Sequence, residues 1–356
     1  LKVTDNGGLS ATKAVTITVS PVVVVPSMRV ADIAMSVQGA SRQARATAKV
    51  CALATRGRET RALWDEVANV RAAFAWAMRH GEREVAVALA IDSSVVFALG
   101  GLVGEVLERL VAVEPFVDER VPLPQAAQYW QWLGRFGNDG RLPAQRCVAA
   151  LKTAEDLFRR LRNHRHVHAC LRMRAEALLD LGNTDEAFRT IHEAHELEGQ
   201  GHPLADRMRR LRIEGMILDA RGQFGPAVER LEQALALARQ ADIHRYVATL
   251  TQDIGLTLLN AGQAAEAEQR FRAVLGDRRP DLSVALAVAY ARMGLATALL
   301  AQGQLAAARA AAVDALPLLR SCGMKRVSCR IRPNTRAGSR PAARAAAVMS
   351  SAKGMG

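Results

Sequence analysis

The sequence predicts a chain built mainly of α-helices, in which helix pairs stack side by side as a right-handed solenoid. One short pattern recurs along it: Gly182, Gly222, Gly262 and Gly303 follow one another at spacings of 40, 40 and 41 residues. A fixed period of this size is typical of solenoids, in which each repeat packs only on its neighbours. Half of the residues are hydrophobic but only 4% are aromatic, a balance that favours alanine- and leucine-rich helices.

Each of these glycines is followed by the same pattern of small and apolar residues. The fifth residue after the glycine is always alanine, and the ninth and twelfth are apolar. Residues three and four apart lie on one face of a helix, so the pattern predicts a helix that packs closely on its hairpin partner. The positions are Ala187, Ile191, Ala194, Ala227, Leu231, Ala234, Ala267, Phe271, Val274, Ala308, Ala312 and Ala315.

Residues before the turns resemble those of the tetratricopeptide repeat (TPR) family. Small residues lie seven positions before the first three glycines, and leucine lies four before all four. The matching residues are Ala175, Gly215, Gly255, Leu178, Leu218, Leu258 and Leu299. The period near 40 exceeds the family's 34 and resembles the carboxyl-terminal repeats of large bacterial signal-transduction (STAND-type) ATPases that regulate transcription. This resemblance implies a non-catalytic scaffold for protein interaction or ligand sensing, as the regulatory part of such a protein.

The first 20 residues differ from the rest. Residues 3–10 and 14–19 are predicted strands of a β-hairpin remnant, because Asn6-Gly7-Gly8 favours a hairpin turn. This stretch resembles the end of an immunoglobulin-like domain of the polycystic-kidney-disease (PKD) type, which implies an alternative function as a secreted or cell-surface adhesion protein with a helical appendage. Residues 21–58 are predicted to be a linker or a partial β segment, with a helix over 41–55 as an equal alternative. We interpret the chain as a fragment or a chimera.

Helical periodicity predicts the solenoid over residues 59–323, with its clear repeats over 164–320. Gly81 is expected to end the first helical segment, and the period extended backwards predicts further turns at Gly101 and Gly140. Residues 85–103 are apolar enough to suggest a membrane span. Asp92 argues against it, because an aspartate at mid-bilayer depth costs about 2.5–3.5 kcal/mol, and we expect a buried solenoid helix instead.

The basic charge of the chain is concentrated at one end. The net charge is +13, and residues 324–356 contain eight lysines and arginines but no acid. We predict a disordered basic tail there, with weak nucleic-acid binding at most. The five cysteines show no paired spacing, which predicts reduced and mostly buried thiols and favours a cytoplasmic location. The β remnant would instead suggest export.

The histidines are the one cluster that suggests metal chemistry. They are His164, His166, His168, His192 and His195. If His168 faced His195 across a hairpin, the two imidazoles could bind a transition metal. However, His164 is expected in a loop, Arg162 and Arg165 would repel a cation, and no nearby carboxylate is placed to support the histidines. We therefore predict no metal site.

No motif of catalytic chemistry occurs in the sequence. It contains no P-loop G-x-x-x-x-G-K-[ST], no G-x-S-x-G and no H-E-x-x-H. We therefore predict that the chain is not an enzyme and binds no cofactor.

The remaining candidate site is a concave groove lined by the first helix of each repeat. Residues expected there are Arg172, Glu176, Arg209, Arg212, Met216, Gln252, Asn260 and Tyr290. Arg172, Arg209 and Arg212 could converge on one carboxylate or an acidic peptide, because guanidinium groups bind carboxylates through two donors. The alternative is that these arginines are solvated groove lining. We predict a protein or peptide partner and no membrane partner, and we leave a homo-oligomer open.

Overall fold

The structure is a computed structural model that describes residues 3–4, 10–11, 67–99, 101–138, 142–199, 202–276 and 282–321. Its contacts divide the chain into two compact units, Leu1–Phe136 and Gly137–Gly356. The described residues contain 14 α-helices, which confirms the predicted mainly α-helical fold. None of these helices combines the length and the apolar character that crossing a membrane requires.

A short β pair stands at the start of the first unit. Strand β1 (Val3–Thr4) pairs antiparallel with β2 (Ser10–Ala11). The chain therefore reverses within residues 3–10, which were predicted as a single strand. The predicted strand over 14–19 and the segment 21–58 lie outside the described residues, and so does the predicted tail over 324–356.

The described helices of the first unit begin at Val67. They are α1 (Val67–Arg79), α2 (Arg83–Asp92), α3 (Ser94–Leu99), α4 (Val103–Val113) and α5 (Leu123–Gly137), the last ending at the first residue of the second unit. Helix α1 packs on α2, and α2 and α3 pack on α4. Gly81 and Gly101 have φ values of +70° and +77°, so both predicted turns are confirmed. Gly140 lies outside the described residues.

The apolar stretch over residues 85–103 does not form one buried helix, so that prediction is wrong. It divides into α2, α3 and the start of α4. The Ser93 and Ser94 hydroxyls donate to the carbonyl oxygens of Leu89 and Ala90, each at 2.6 Å. Hydroxyls that bond four residues back compete with the helix and often bend it, which explains the break at Ser93.

The second unit contains nine described helices in antiparallel order. They are α6 (Ala144–Arg160), α7 (His164–Asp180), α8 (Thr184–Glu196), α9 (Leu204–Ala220), α10 (Phe224–Gln240), α11 (His244–Asn260), α12 (Ala264–Gly276), α13 (Leu282–Ala301) and α14 (Leu305–Ser321). Each packs on the next, and α7, α9, α11 and α13 also contact one another in order. We call these four the A helices. Their partners α8, α10, α12 and α14 are the B helices.

The repeating glycines end the A helices by one shared geometry. Gly182 has φ +78°, and the amide of Asn183 donates to the carbonyl of Leu178 at 3.0 Å. The Asn183 carbonyl then accepts from the amide of Ala187 at 3.0 Å and so begins the B helix. The same bonds recur at the other three turn glycines. The recurring spacing of leucine, glycine and alanine therefore ends one helix and begins the next.

Small residues let the A and B helices approach closely. A methyl group on Gly215 would lie 2.7 Å from Leu231 Cγ. The Phe271 ring lies between α11 and α13. A methyl group added to Gly255 would lie 2.9 Å from this ring, and one added to Gly294 would lie 2.3 Å from it. The predicted packing positions of the B helices are buried, except Ala312, which is half-buried. Within the described residues, Cys147 and Cys170 are buried thiols that form no disulfide, as predicted.

Candidate functional site

Side chains link the A helices of successive repeats at a constant offset. Three hydrogen-bonded pairs each join residues 41 positions apart, which is one repeat period of 40 residues plus one residue. Because equivalent residues of stacked repeats lie side by side, each pair bridges two neighbouring A helices. We call them the inter-repeat ladder: Arg165 Nε to Asp206 Oδ2 (3.3 Å), Arg212 Nε to Asp253 Oδ2 (2.5 Å), and Asn260 Nδ2 to Asp219 Oδ1 and Oδ2 (3.1 and 3.0 Å).

Of the three arginines predicted to converge, Arg209 contacts Tyr246, the third residue of α11, and the charges of Arg172 and Arg212 also act on this tyrosine. Arg209 donates from Nε to the Tyr246 hydroxyl at 3.3 Å, and its guanidinium carbon lies 5.5 Å from the centre of the ring. Burial alone would raise the pKa of Tyr246, but the charges of Arg209, Arg172 and Arg212 outweigh burial and lower it. These four residues form the arginine–tyrosine cluster. An ordinary phenol is uncharged at neutral pH, so tyrosine is not a counter-charge for these arginines.

Carboxylates from the same helices partly balance this field. Asp206 accepts from Arg209 Nη1 at 2.8 Å. Burial would raise the pKa of Asp206, but the charges of Arg209, Arg165 and Arg172 outweigh burial and lower it. Asp206 therefore stays ionised among these arginines, and the cluster combines both signs of charge.

Arg212 has its own acidic partners. Burial would lower the pKa of Arg212, but the charges of Asp253 and Glu176 outweigh burial and raise it. The predicted residue Glu176 is thus close enough to act on Arg212. This guanidinium is held between two A helices, with 21% of its side chain exposed.

The other predicted groove residues lie along the same helices. Met216 is buried in α9, and Gln252 and Tyr290 are half-buried in α11 and α13. Asn260 ends α11 and belongs to the ladder, so its amide already donates to Asp219. A role of these four residues in binding stays a prediction.

A second polar cluster lies where α8 leads into α9. His168 of α7 has 1% of its side chain exposed, and its Nε2 lies 3.1 Å from Glu198 Oε1. Arg210 of α9 donates from Nε to the same oxygen at 2.8 Å. His202, in the loop before α9, completes the group, and its ring centre lies 4.5 Å from that of His168. One ligand atom from each of His168, Glu198 and His202 lies within 4.8 Å of the others. We call these three residues the histidine–glutamate cluster.

The charges around Glu198 keep it ionised. Burial would raise its pKa, but hydrogen bonds from His168 and Arg210 outweigh burial and lower it to about 2. Burial lowers the pKa of His202, and the charge of His168 adds to this effect. His202 is therefore neutral at neutral pH.

Two expectations about the histidines are wrong. A carboxylate does lie near them, since Glu198 approaches both His168 (3.1 Å) and His195 Nδ1 (3.5 Å). His164 is also not in a loop. It is the first residue of α7. The Asn163 side chain accepts a hydrogen bond from the amide of His166 and so caps this helix.

Comparisons with known proteins support the fold. No protein-family model matches the chain, and no curated protein matches it. Among solved structures, a Rap protein complexed with Competence and Sporulation Factor is similar with a TM-score of 0.58 and 14% identity, over 80% of this chain and 78% of that one. The apo form of RapI gives a TM-score of 0.54 and 11% identity, over 77% of this chain and 99% of that one.

A third similar structure carries such repeats inside a larger protein. It is a Signal Transduction ATPase with Numerous Domains (STAND) protein with a tetratricopeptide repeat sensor from Pyrococcus horikoshii, with a TM-score of 0.53 and 10% identity, over 79% of this chain and 45% of that one. The comparisons give no support to the predicted PKD-type resemblance of residues 1–20. They show that the chain has the fold of TPR-type helical solenoids.

Proposed function

We propose that this chain is a non-catalytic protein-interaction scaffold, and that its arginine–tyrosine cluster receives an anionic group of a partner peptide or protein. The observation that carries the proposal is the convergence of arginines from α7 and α9 on the neutral phenol of Tyr246 in α11. Three A helices thus contribute to one cluster, in which carboxylates such as Asp206 partly balance the arginine charges. A similar fold occurs in the Rap protein complexed with Competence and Sporulation Factor, which supports a ligand-binding role for these repeats.

The cluster has donors suited to a carboxylate. A guanidinium has five N–H groups, and the contacts above engage Nε and Nη1 of Arg209 and Nε of Arg212. The two side chains are 24% and 21% exposed, so both are partly shielded from water and still reachable. Charge-assisted bonds are stronger in such partly desolvated positions. We therefore infer that an acidic side chain or a peptide carboxylate binds here.

Fluorescence anisotropy with two labelled peptides tests this inference. The peptides have equal length and alternate alanine with either glutamate or lysine. We expect the glutamate peptide to bind and the lysine peptide to bind much more weakly. Arg209→Gln should weaken binding of the glutamate peptide about tenfold, the equivalent of about 1.4 kcal/mol, since one hydrogen bond to a charged group is lost.

Arg189→Gln provides the matched control, because Arg189 is an exposed arginine on the B helix α8. Circular dichroism of both variants checks that the helices are intact. Equal affinities of the two variants for the glutamate peptide would contradict the proposal, and so would equal binding of the two peptides by the unsubstituted chain.

We further propose that the repeats regulate an attached domain, as part of a cytoplasmic bacterial signalling ATPase or transcriptional regulator. The STAND protein described above carries its repeats as a sensor, which supports this proposal. The coding sequence that flanks this chain tests it, because a P-loop and a DNA-binding module are expected there. Further β domains would favour the secreted alternative, which the comparisons do not favour.

A further inference from the structure

The histidine–glutamate cluster brings three metal-ligating groups together from distant parts of the chain. His168 belongs to α7, whereas Glu198 and His202 belong to the loop between α8 and α9. The loop is held by two backbone bonds, from the Glu198 amide to the His195 carbonyl (2.9 Å) and from the His202 amide to the Gly199 carbonyl (3.2 Å). Among the described residues, this is the group of histidine, cysteine and acidic side chains that is close enough to hold a metal ion.

One atom of the cluster lacks a partner. His202 Nε2 is buried and has no hydrogen-bond partner among the described residues. Buried polar atoms are nearly always satisfied by a hydrogen bond, a water or an ion. One ring nitrogen of His202 lies within 4.8 Å of the ligand atoms of His168 and Glu198, so an ion placed among the three side chains would lie beside this imidazole.

From this arrangement we propose that His168, Glu198 and His202 bind a divalent transition-metal ion, with zinc the best match to two imidazoles and one carboxylate. Zinc takes such ligands at about 2.0–2.2 Å in tetrahedral geometry, often with water in the fourth position. The ligand atoms must therefore approach one another more closely than 4.8 Å. His202 lies in the loop that leads to Pro203, the residue before α9, so this approach involves the loop side of the cluster.

The neighbouring cations set the strength expected of this site. Arg210 Nε lies 2.8 Å from Glu198 Oε1, and Arg207 Nε lies 3.8 Å from Glu198 Oε2. Both oppose a second cation. However, Arg210 is also held by Glu214, at 2.5 Å from Nη1, so it keeps an acidic partner when Glu198 binds an ion. The negative charge of Asp206 favours a cation beside His202, and the positive charge of Arg165 opposes it. We expect one site of moderate affinity that weakens at acid pH, where protons compete for the imidazoles.

Calorimetric titration of the chelator-treated full chain with zinc chloride tests the site, with cobalt(II) as a spectroscopic probe. We expect one zinc ion per chain and visible absorption bands of cobalt in a low-coordination site. His202→Ala should weaken zinc binding at least tenfold and abolish the cobalt bands. Glu198→Gln should act in the same direction.

His192→Ala is the matched control, because His192 lies on α8 with 65% of its side chain exposed and pairs only loosely with Glu196 at 3.9 Å. It should bind zinc as the unsubstituted chain does. His202→Ala carries the test, since a half-buried loop residue can be replaced without unfolding the helices. Zinc binding that is unchanged in His202→Ala, or absent from the unsubstituted chain, would overturn the proposal. Peptide binding is measured separately, so this result leaves the proposed function untouched.

Discussion

Glu198→Gln should lower the stability of the chain, and its effect should depend on pH. Only 3% of the Glu198 side chain is exposed, and its carboxylate accepts hydrogen bonds from Arg210 and from His168. Glutamine keeps nearly the same shape but carries no charge. The substitution therefore removes one of the two carboxylates that pair with the buried Arg210 and leaves Glu214 as the other. Breaking a buried network of charges is one of the few changes that cost several kcal/mol.

The lowered pKa of Glu198 sets the size of its contribution to stability and the direction in which this contribution changes with pH. It is lowered from 4.5 in the unfolded chain to about 2 in the folded one, because the hydrogen bonds from His168 and Arg210 outweigh the opposing effect of burial. A tenfold change in proton affinity is worth about 1.4 kcal/mol, so ionised Glu198 contributes about 3 kcal/mol. Because the folded pKa is the lower one, this stability is present above pH 4.5 and is lost as the pH falls through 2.

Urea unfolding followed by circular dichroism at pH 7 and pH 3 measures the effect. We expect Glu198→Gln to lower the free energy of unfolding by about 3 kcal/mol at pH 7, and this difference to shrink by about 2 kcal/mol at pH 3. Glu196→Gln is the control, since Glu196 is 68% exposed two residues earlier. Its free energy of unfolding should stay within about 0.5 kcal/mol of that of the unsubstituted chain at both pH values. A Glu198→Gln difference that is the same at pH 7 and pH 3 would refute the reasoning.

Two glycine substitutions test the packing and the turns by urea unfolding. Gly294→Ala should lower stability by about 1 kcal/mol or more, because its methyl group would lie 2.3 Å from Phe271 Cε1 and overpacking costs about 1–3 kcal/mol. Gly225→Ala, in a helix with open space around it, should not lower stability, and an equal loss in both variants would contradict this account. Gly222→Ala should cost about 1 kcal/mol, because Gly222 has φ +75°. Gly222→Asn should cost less, and equal costs would argue against a backbone cause.

Much of the fold follows from local sequence, because each repeat obeys the same short-range rules. A glycine after a leucine-containing turn ends a helix with positive φ, and the amide of the next alanine donates the first hydrogen bond of the following helix. These relations involve residues within nine positions of one another. The break at Ser93 was not predicted, because a hydroxyl bonded to its own helix leaves the apolar pattern unchanged.

The candidate sites depend on longer separations and were only partly predicted. The convergence of Arg172, Arg209 and Arg212 was expected, but their partners Asp206, Tyr246 and Asp253 were not. A search for oppositely charged residues separated by one repeat period plus one residue would have found Arg212 and Asp253, which lie 41 positions apart. Glu198 follows no such rule. It lies 30 residues from His168, in a loop outside the repeat pattern, and only the path of that loop brings the two together.

Helix α9 positions both clusters, and its sequence explains how it keeps them apart. Asp206 and Arg209 lie three residues apart and form one stripe with Arg165 and Tyr246. Arg207, Arg210 and Glu214 are spaced by three and four and form a second stripe. The arginines of that stripe face Glu198, and Glu214 pairs with Arg230 of α10. Residues with such spacing are neighbours on a helix, so the two stripes lie side by side on α9, and Asp206 and Arg165 also act on His202. The proposed peptide site and the proposed metal site nevertheless use different residues. Arg209→Gln and His202→Ala should therefore each impair one of the two proposed roles.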